Sequence, residues 1–211
     1  MEPQKTQYIL HKLQQIFQDG YRPARGNESY RTVLPNGIPV AQMVNCLGHV
    51  FNLRNRQFID YAIRPYQIIN PDGINSFEAM ANPYFTGFMK GNTQFPEVAN
   101  TMLDFIKETG LRIEECAPDQ MITDFKSWKI ALYFQNDDFH YLLEDAPQTW
   151  SGKVGATTRV RFYNAVTPPK KCHCLLNPHP YHLYGTYKIT NPNASETNRY
   201  VQEGLAQGCN R

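Results

Sequence analysis

Trp128-Lys129-Ile130-Ala131-Leu132-Tyr133-Phe134, then Gln135-Asn136-Asp137-Asp138, then Phe139-His140-Tyr141-Leu142-Leu143-Glu144, is the stretch from which the fold is read. The first run is nearly apolar on both faces, the pattern of a strand buried between two neighbours. The four polar residues read as a turn, and the second run returns beside the first. Ala146-Pro147-Gln148 turns again into Thr149-Trp150-Ser151. Residues 158–163 alternate cleanly in polarity and residues 181–190 offer a final strand.

Ahead of this sheet the periodicity is helical. Tyr8, Ile9, Leu13, Ile16 and Phe17 share one face of a helix over residues 3–18, with Pro3 in its first turn and Gly20 at its end. Residues 21–37 are polar and turn-rich. Beyond Asn45, the positions Leu47, Val50, Phe51, Phe58, Tyr61 and Ala62 keep helical spacing, with a break near residues 52–55. Residues 63–95, rich in Asn, Pro and Gly, read as irregular. Residues 96–108 form the clearest helix, with Pro96 in the first turn, a stripe of Val98, Met102, Phe105 and Ile106, and Gly110 closing it. Ser195 suits the cap of a last short helix to residue 207. This layout predicts one α+β domain over residues 1–211, a helical N-terminal half packed on an antiparallel sheet.

Composition bounds the function classes. At 211 residues, with 41% hydrophobic and 19% charged residues, the chain can bury a core. Net charge is +2 with scattered Lys and Arg, so a nucleic-acid partner is not expected. No apolar run is long enough for a membrane helix, and residues 1–7 lack the apolar core of a secretory signal. Five cysteines without a framework spacing read as reduced thiols of a cytoplasmic protein.

The chemistry centres on Val44-Asn45-Cys46-Leu47-Gly48-His49. Asn45 is a preferred helix cap, which puts Cys46 in the first turn, where unpaired N–H groups favour a thiolate. Those N–H groups, with the Gln42 side chain, suit the stabilisation of an oxyanion. A histidine brought alongside by the fold takes the proton and returns it. His140, on the strand face away from Phe139, Tyr141 and Leu143, is the first candidate. His49, three residues after Cys46 on the same helix face, is its rival. Asp145 or Asn164 would orient the ring, with Asp138 and Glu144 also near in sequence, and the sequence does not choose among them. The plainer reading of Cys46 is a buried core thiol, and that of His140 an edge-strand histidine.

The order of a cysteine on a helix and a histidine on a later strand resembles the papain-like cysteine peptidase superfamily. Asn45-Cys46-Leu47, the helix ending near Gly110 and the His140 strand look like a viral leader proteinase. Residues 128–153 are also similar to uncharacterised phage and bacterial proteins. The resemblance spans residues 38–166 and rests on short motifs. Leu47 stands where the family carries an aromatic residue, and the oxyanion amide has no clear counterpart. The resemblance implies a papain-like fold and hydrolysis of a peptide or isopeptide bond in a protein or peptide substrate, without a cofactor. It also implies a host-cytoplasmic setting if the source is viral.

A different class of function starts from Cys172-His173-Cys174, His179 and His182. Two thiols and two imidazoles make a zinc set, which would suit a non-enzymatic viral or phage structural or host-interaction protein. One residue between the cysteines is too few for the usual spacing, and Pro178 and Pro180 constrain His179. No metal is therefore expected.

Overall fold

The computed structural model describes residues 10–20 (except 12 and 16), 46–51, 95–135, 138–153, 160–173 and 179–195. Two helices are bounded within them, α1 (Cys46–Val50) and α2 (Phe95–Glu108), and helical residues also occur between 10 and 18. Seven strands follow: β1 (Arg112–Glu115), β2 (Ser127–Gln135), β3 (Asp138–Ala146), β4 (Thr149–Lys153), β5 (Val160–Asn164), β6 (Lys171–Cys172) and β7 (Tyr181–Thr190). They form one antiparallel sheet in the order β1-β7-β2-β3-β4-β5, with β6 also paired to β7.

The near-continuous apolar run becomes β2 because that strand lies between β7 and β3, and every one of its residues is buried. A register shift at Leu132/Tyr133 accommodates the extra residue of β7 at Tyr184. α2 begins one residue before Pro96 and buries Ala99, Met102, Phe105 and Ile106. Gly110, at φ 89°, ends it in the left-handed conformation, its N–H donating to the Lys107 carbonyl at 2.9 Å.

Alternation sorts the sheet into two faces. The first presents Trp128, Ile130, Leu132, Tyr141, Leu143 and Ser151, and α1 lies on it. The Trp128 indole N–H donates to the Val50 carbonyl at 3.1 Å. The N-terminal helical residues join the same layer, with Phe17 and Phe51 ring centroids 5.8 Å apart. The Asn191 amide donates to the Phe17 carbonyl at 2.9 Å. The second face carries Lys129, Ala131, Tyr133, His140, Leu142, Glu144 and Trp150. Its core is built from the sheet itself, as Ala131, Tyr133, Leu142, Trp150, Cys172 and Tyr181 pack together.

The expected α+β class is corrected by this architecture. The described residues are mostly a seven-stranded antiparallel sheet, and a helical N-terminal half in the papain-like manner is not what packs on it. The bounded helices are short, at 5 and 14 residues. A helix of α1's length does not hold itself together, because nucleation is unfavourable and few bonds follow it. α1 persists through its contacts with β3 and β4 and the Trp128 hydrogen bond from β2, so here the sheet organises the helix. The segments expected at 3–9, 52–94 and 196–207 lie outside the described residues. Among the described residues, no helix is long and apolar enough to cross a membrane.

Candidate functional site

Cys46 is the first residue of α1, with 5% of its surface exposed. Gln42 and Asn45 lie outside the described residues. His140 is equally buried on β3, but the structure does not bring it to Cys46. Its ring faces Tyr181, with centroids 5.6 Å apart. Its Nε2 lies 2.9 Å from where a Cβ on Gly152 would stand, so only glycine fits beneath it. Both contacts belong to the second face, whereas α1 covers the first. Successive strand residues point to opposite faces, so Tyr141, not His140, looks toward the Cys46 helix. His140 thus lies on the face opposite the one that α1 covers, away from the place expected for a partner of Cys46.

The proposed orienting residues do not reach His140 either. Asp145 is buried five residues along β3, at a register shift between Glu144 and Ala146. Asn164 is exposed at the end of β5 opposite Thr149, three residues beyond the Arg161 that neighbours Gly152. The zinc set is divided as well. Cys172 is buried opposite Tyr181, while the adjacent pair, Lys171 and His182, directs an exposed His182 to the other side. His179 is exposed, and Cys174 lies outside the described residues. No metal-binding group of His, Cys, Asp or Glu occurs among the described residues.

What the first face does assemble is a different set. His49, fully buried one turn after Cys46, places Nε2 2.8 Å from the Ser151 hydroxyl oxygen. Cys46 and His49 stand three residues apart on α1 and so share one side of that helix. Tyr141 is also fully buried, and its hydroxyl has no hydrogen-bond partner among the described residues. Burial pushes this hydroxyl well above the ordinary tyrosine value, and the neighbouring Cys46 and Tyr187 add to the rise. It therefore stays protonated, a buried hydrogen-bond donor on the face that α1 covers. The sequence reading weighed His49 as the rival base but passed over Ser151 and Tyr141. The alternation of β3 and β4 was the available signal for both, once α1 was known to lie on the odd-numbered side.

His140 acquires a structural role with a measurable consequence. Burial first, and the Arg161 charge second, lower its value from 6.5 to about 4. The unfolded chain binds the extra proton as pH falls through 6.5, and the folded chain does so only near 4. The unfolded state thus holds more protons in that window, so stability falls on acidification, by about 3 kcal/mol in full. Urea unfolding of His140→Gln should lack this component between pH 6.5 and 4. Parallel stability curves for the two proteins would show that the imidazole is not responsible.

No protein-family model, curated protein or solved structure matches the chain.

Proposed function

We propose that the protein is a cysteine-dependent hydrolase of peptide or isopeptide bonds, with Cys46 as nucleophile and His49 as its base. The observation that carries this reading is the 2.8 Å contact between His49 Nε2 and Ser151 Oγ. An Nε2–H donated to Ser151 fixes the tautomer and leaves Nδ1, the nitrogen nearer the helix, to take the thiol proton. Ser151 is then a positioning residue.

The reaction runs in two halves. The Cys46 sulfur attacks the carbonyl carbon as its proton passes to His49. The C–S bond forms and the carbonyl π electrons move to oxygen, where the Tyr141 hydroxyl donates to the developing charge. Collapse breaks the C–N bond, and the His49 imidazolium protonates the leaving amine. His49 then takes a proton from water as the water oxygen attacks the thioester. The C–S bond then breaks, the sulfur takes the proton back from His49, and the carboxylic acid product leaves and gives its own proton to solvent. The same 2.8 Å contact would suit Ser151 as nucleophile, but Ser151 has no exposed surface and Cys46 keeps 5%.

Cys116 supplies an internal comparison. It is more exposed than Cys46, and burial pushes its thiol up despite the opposing Lys129 charge. If accessibility alone ruled, iodoacetamide at neutral pH would label Cys116 first. The hydrolase reading expects Cys46 to be labelled faster, and Cys46→Ala to abolish cleavage of a fluorogenic peptide library. Slower labelling of Cys46, or cleavage that survives Cys46→Ala, would assign the residue to the core.

A further inference from the structure

The two ends of the sheet meet solvent differently. Among the described residues, β1 and β5 each pair along one side only. β1 carries Arg112, Glu114 and Glu115, all exposed, the charged kind of edge that keeps a sheet from extending. β5 is defended far less. Arg161 is its one charged residue, and Phe162 at its centre is 51% exposed.

The backbone of β5 is arranged to pair again. The Ala165 N–H donates to the Gln148 carbonyl at 2.9 Å, in the register that matches Asn164 with Thr149. Facing pairs of an antiparallel ladder alternate between those that exchange hydrogen bonds and those that do not. Counting back from Ala165, Tyr163 and Arg161 turn their N–H and C=O groups toward β4. Val160, Phe162 and Asn164 turn theirs to the outer edge.

We propose that β5 is a self-complementary edge on which a second copy of the chain docks, strand against antiparallel strand, about a two-fold axis at Phe162. Phe162 of each copy then exchanges main-chain bonds with the same residue of the other, and Val160 does so with Asn164. These are the residues whose groups point outward. Phe162 shares the first face with Ser151, its partner in register, so the two rings meet there as a cross-strand aromatic pair. On the second face Arg161 comes opposite Tyr163, and each cation meets an aromatic ring and never its own kind. One Arg161 donor, Nη1, serves the His173 carbonyl at 2.9 Å, which steadies the guanidinium and leaves its other donors. An axis at Arg161 would set two guanidinium groups against each other and meet amides turned inward. A foreign extended peptide would find the outward amides without the matched contacts.

Sedimentation equilibrium of the full chain reads the association, and a dimer is expected at micromolar concentration. Phe162→Lys sets two ammonium groups against each other at the axis. Phe162→Pro removes the N–H that pairs there but keeps the bonds to β4, since an edge strand accommodates proline where its N–H faces out. Each should weaken the dimer by about tenfold or more, because a like charge or a lost backbone bond at the axis counts for both copies. Circular dichroism should be unchanged. Met121→Lys, at a position 71% exposed between β1 and β2, should leave the dimer intact. Exchange of the Phe162 amide hydrogen should slow as concentration rises. A monomer throughout that range overturns the proposal, and so does a dimer that persists in both Phe162 variants. Protection of the Phe162 amide that is the same at every concentration would put another part of the chain on this edge and overturn it as well.

Discussion

His49→Gln is expected to lower amide hydrolysis by about 10²- to 10⁴-fold, the span of a positioned general base. Glutamine retains a donor for Ser151 but cannot take a proton, so the variant separates the chemistry from the contact at 2.8 Å. His49→Ala should lose the same activity and also cost stability, because it leaves the buried Ser151 hydroxyl without this partner. Combining Cys46→Ala with His49→Gln should produce little loss beyond that of Cys46→Ala, since nucleophile and base act as one unit. His140→Gln, on the opposite face, should leave hydrolysis at neutral pH unaltered. Steady-state kinetics on one fluorogenic peptide decide the matter. Full activity in His49→Gln with loss in His140→Gln would exchange the two roles and contradict the facial separation described above.

Lys129→Met is expected to destabilise the protein by about 3 kcal/mol, the lower end for breaking a buried ion pair from one side. Lys129 is almost fully enclosed on the second face, yet its ammonium is well served. It donates to the carbonyls of Pro118 at 3.1 Å and Gln120 at 2.7 Å. It lies 3.5 Å from the Glu144 carboxylate and 5.2 Å from the centre of the Trp150 ring. Methionine fills much the same volume but leaves two carbonyls and a carboxylate without the cation. Those carbonyls belong to the segment crossing from β1 to β2, so protease sensitivity near residues 117–121 should rise together with the loss of stability. Adding Glu144→Gln to Lys129→Met should restore part of the loss, because the two effects are coupled. Urea unfolding gives each value. A loss below about 1 kcal/mol for Lys129→Met would make the ammonium a bystander in solution, as exposed pairs are.

The cluster also shows where reading a sequence meets its limit. In the apolar run that decides β2, Lys129 is the one charged residue, and its position between Trp128 and Ile130 does not disclose what satisfies it. Two carbonyl oxygens nine and eleven residues upstream and a carboxylate on the next strand do so. Such partners converge only when the chain has folded.

The positions of β2, β3, β4 and β7, the turn at residues 147–148 and the 96–108 helix were legible in the amino-acid order, because period-2 and period-3.6 apolar spacings and Gly and Pro signals are local properties. The alternation also foretold that His140 and Tyr141 face opposite ways. It could not tell which of the two sides α1 covers, and that choice determines the partner of Cys46. Nor could it reveal Ser151 as the neighbour of His49, 102 positions away. A side chain's direction follows from the backbone beside it, but its surroundings depend on strand order and on the layer packed above. Here the order β1-β7-β2-β3-β4-β5 and the placement of α1 put Tyr141 and Ser151 beneath the cysteine helix and left His140 on the far side of the sheet.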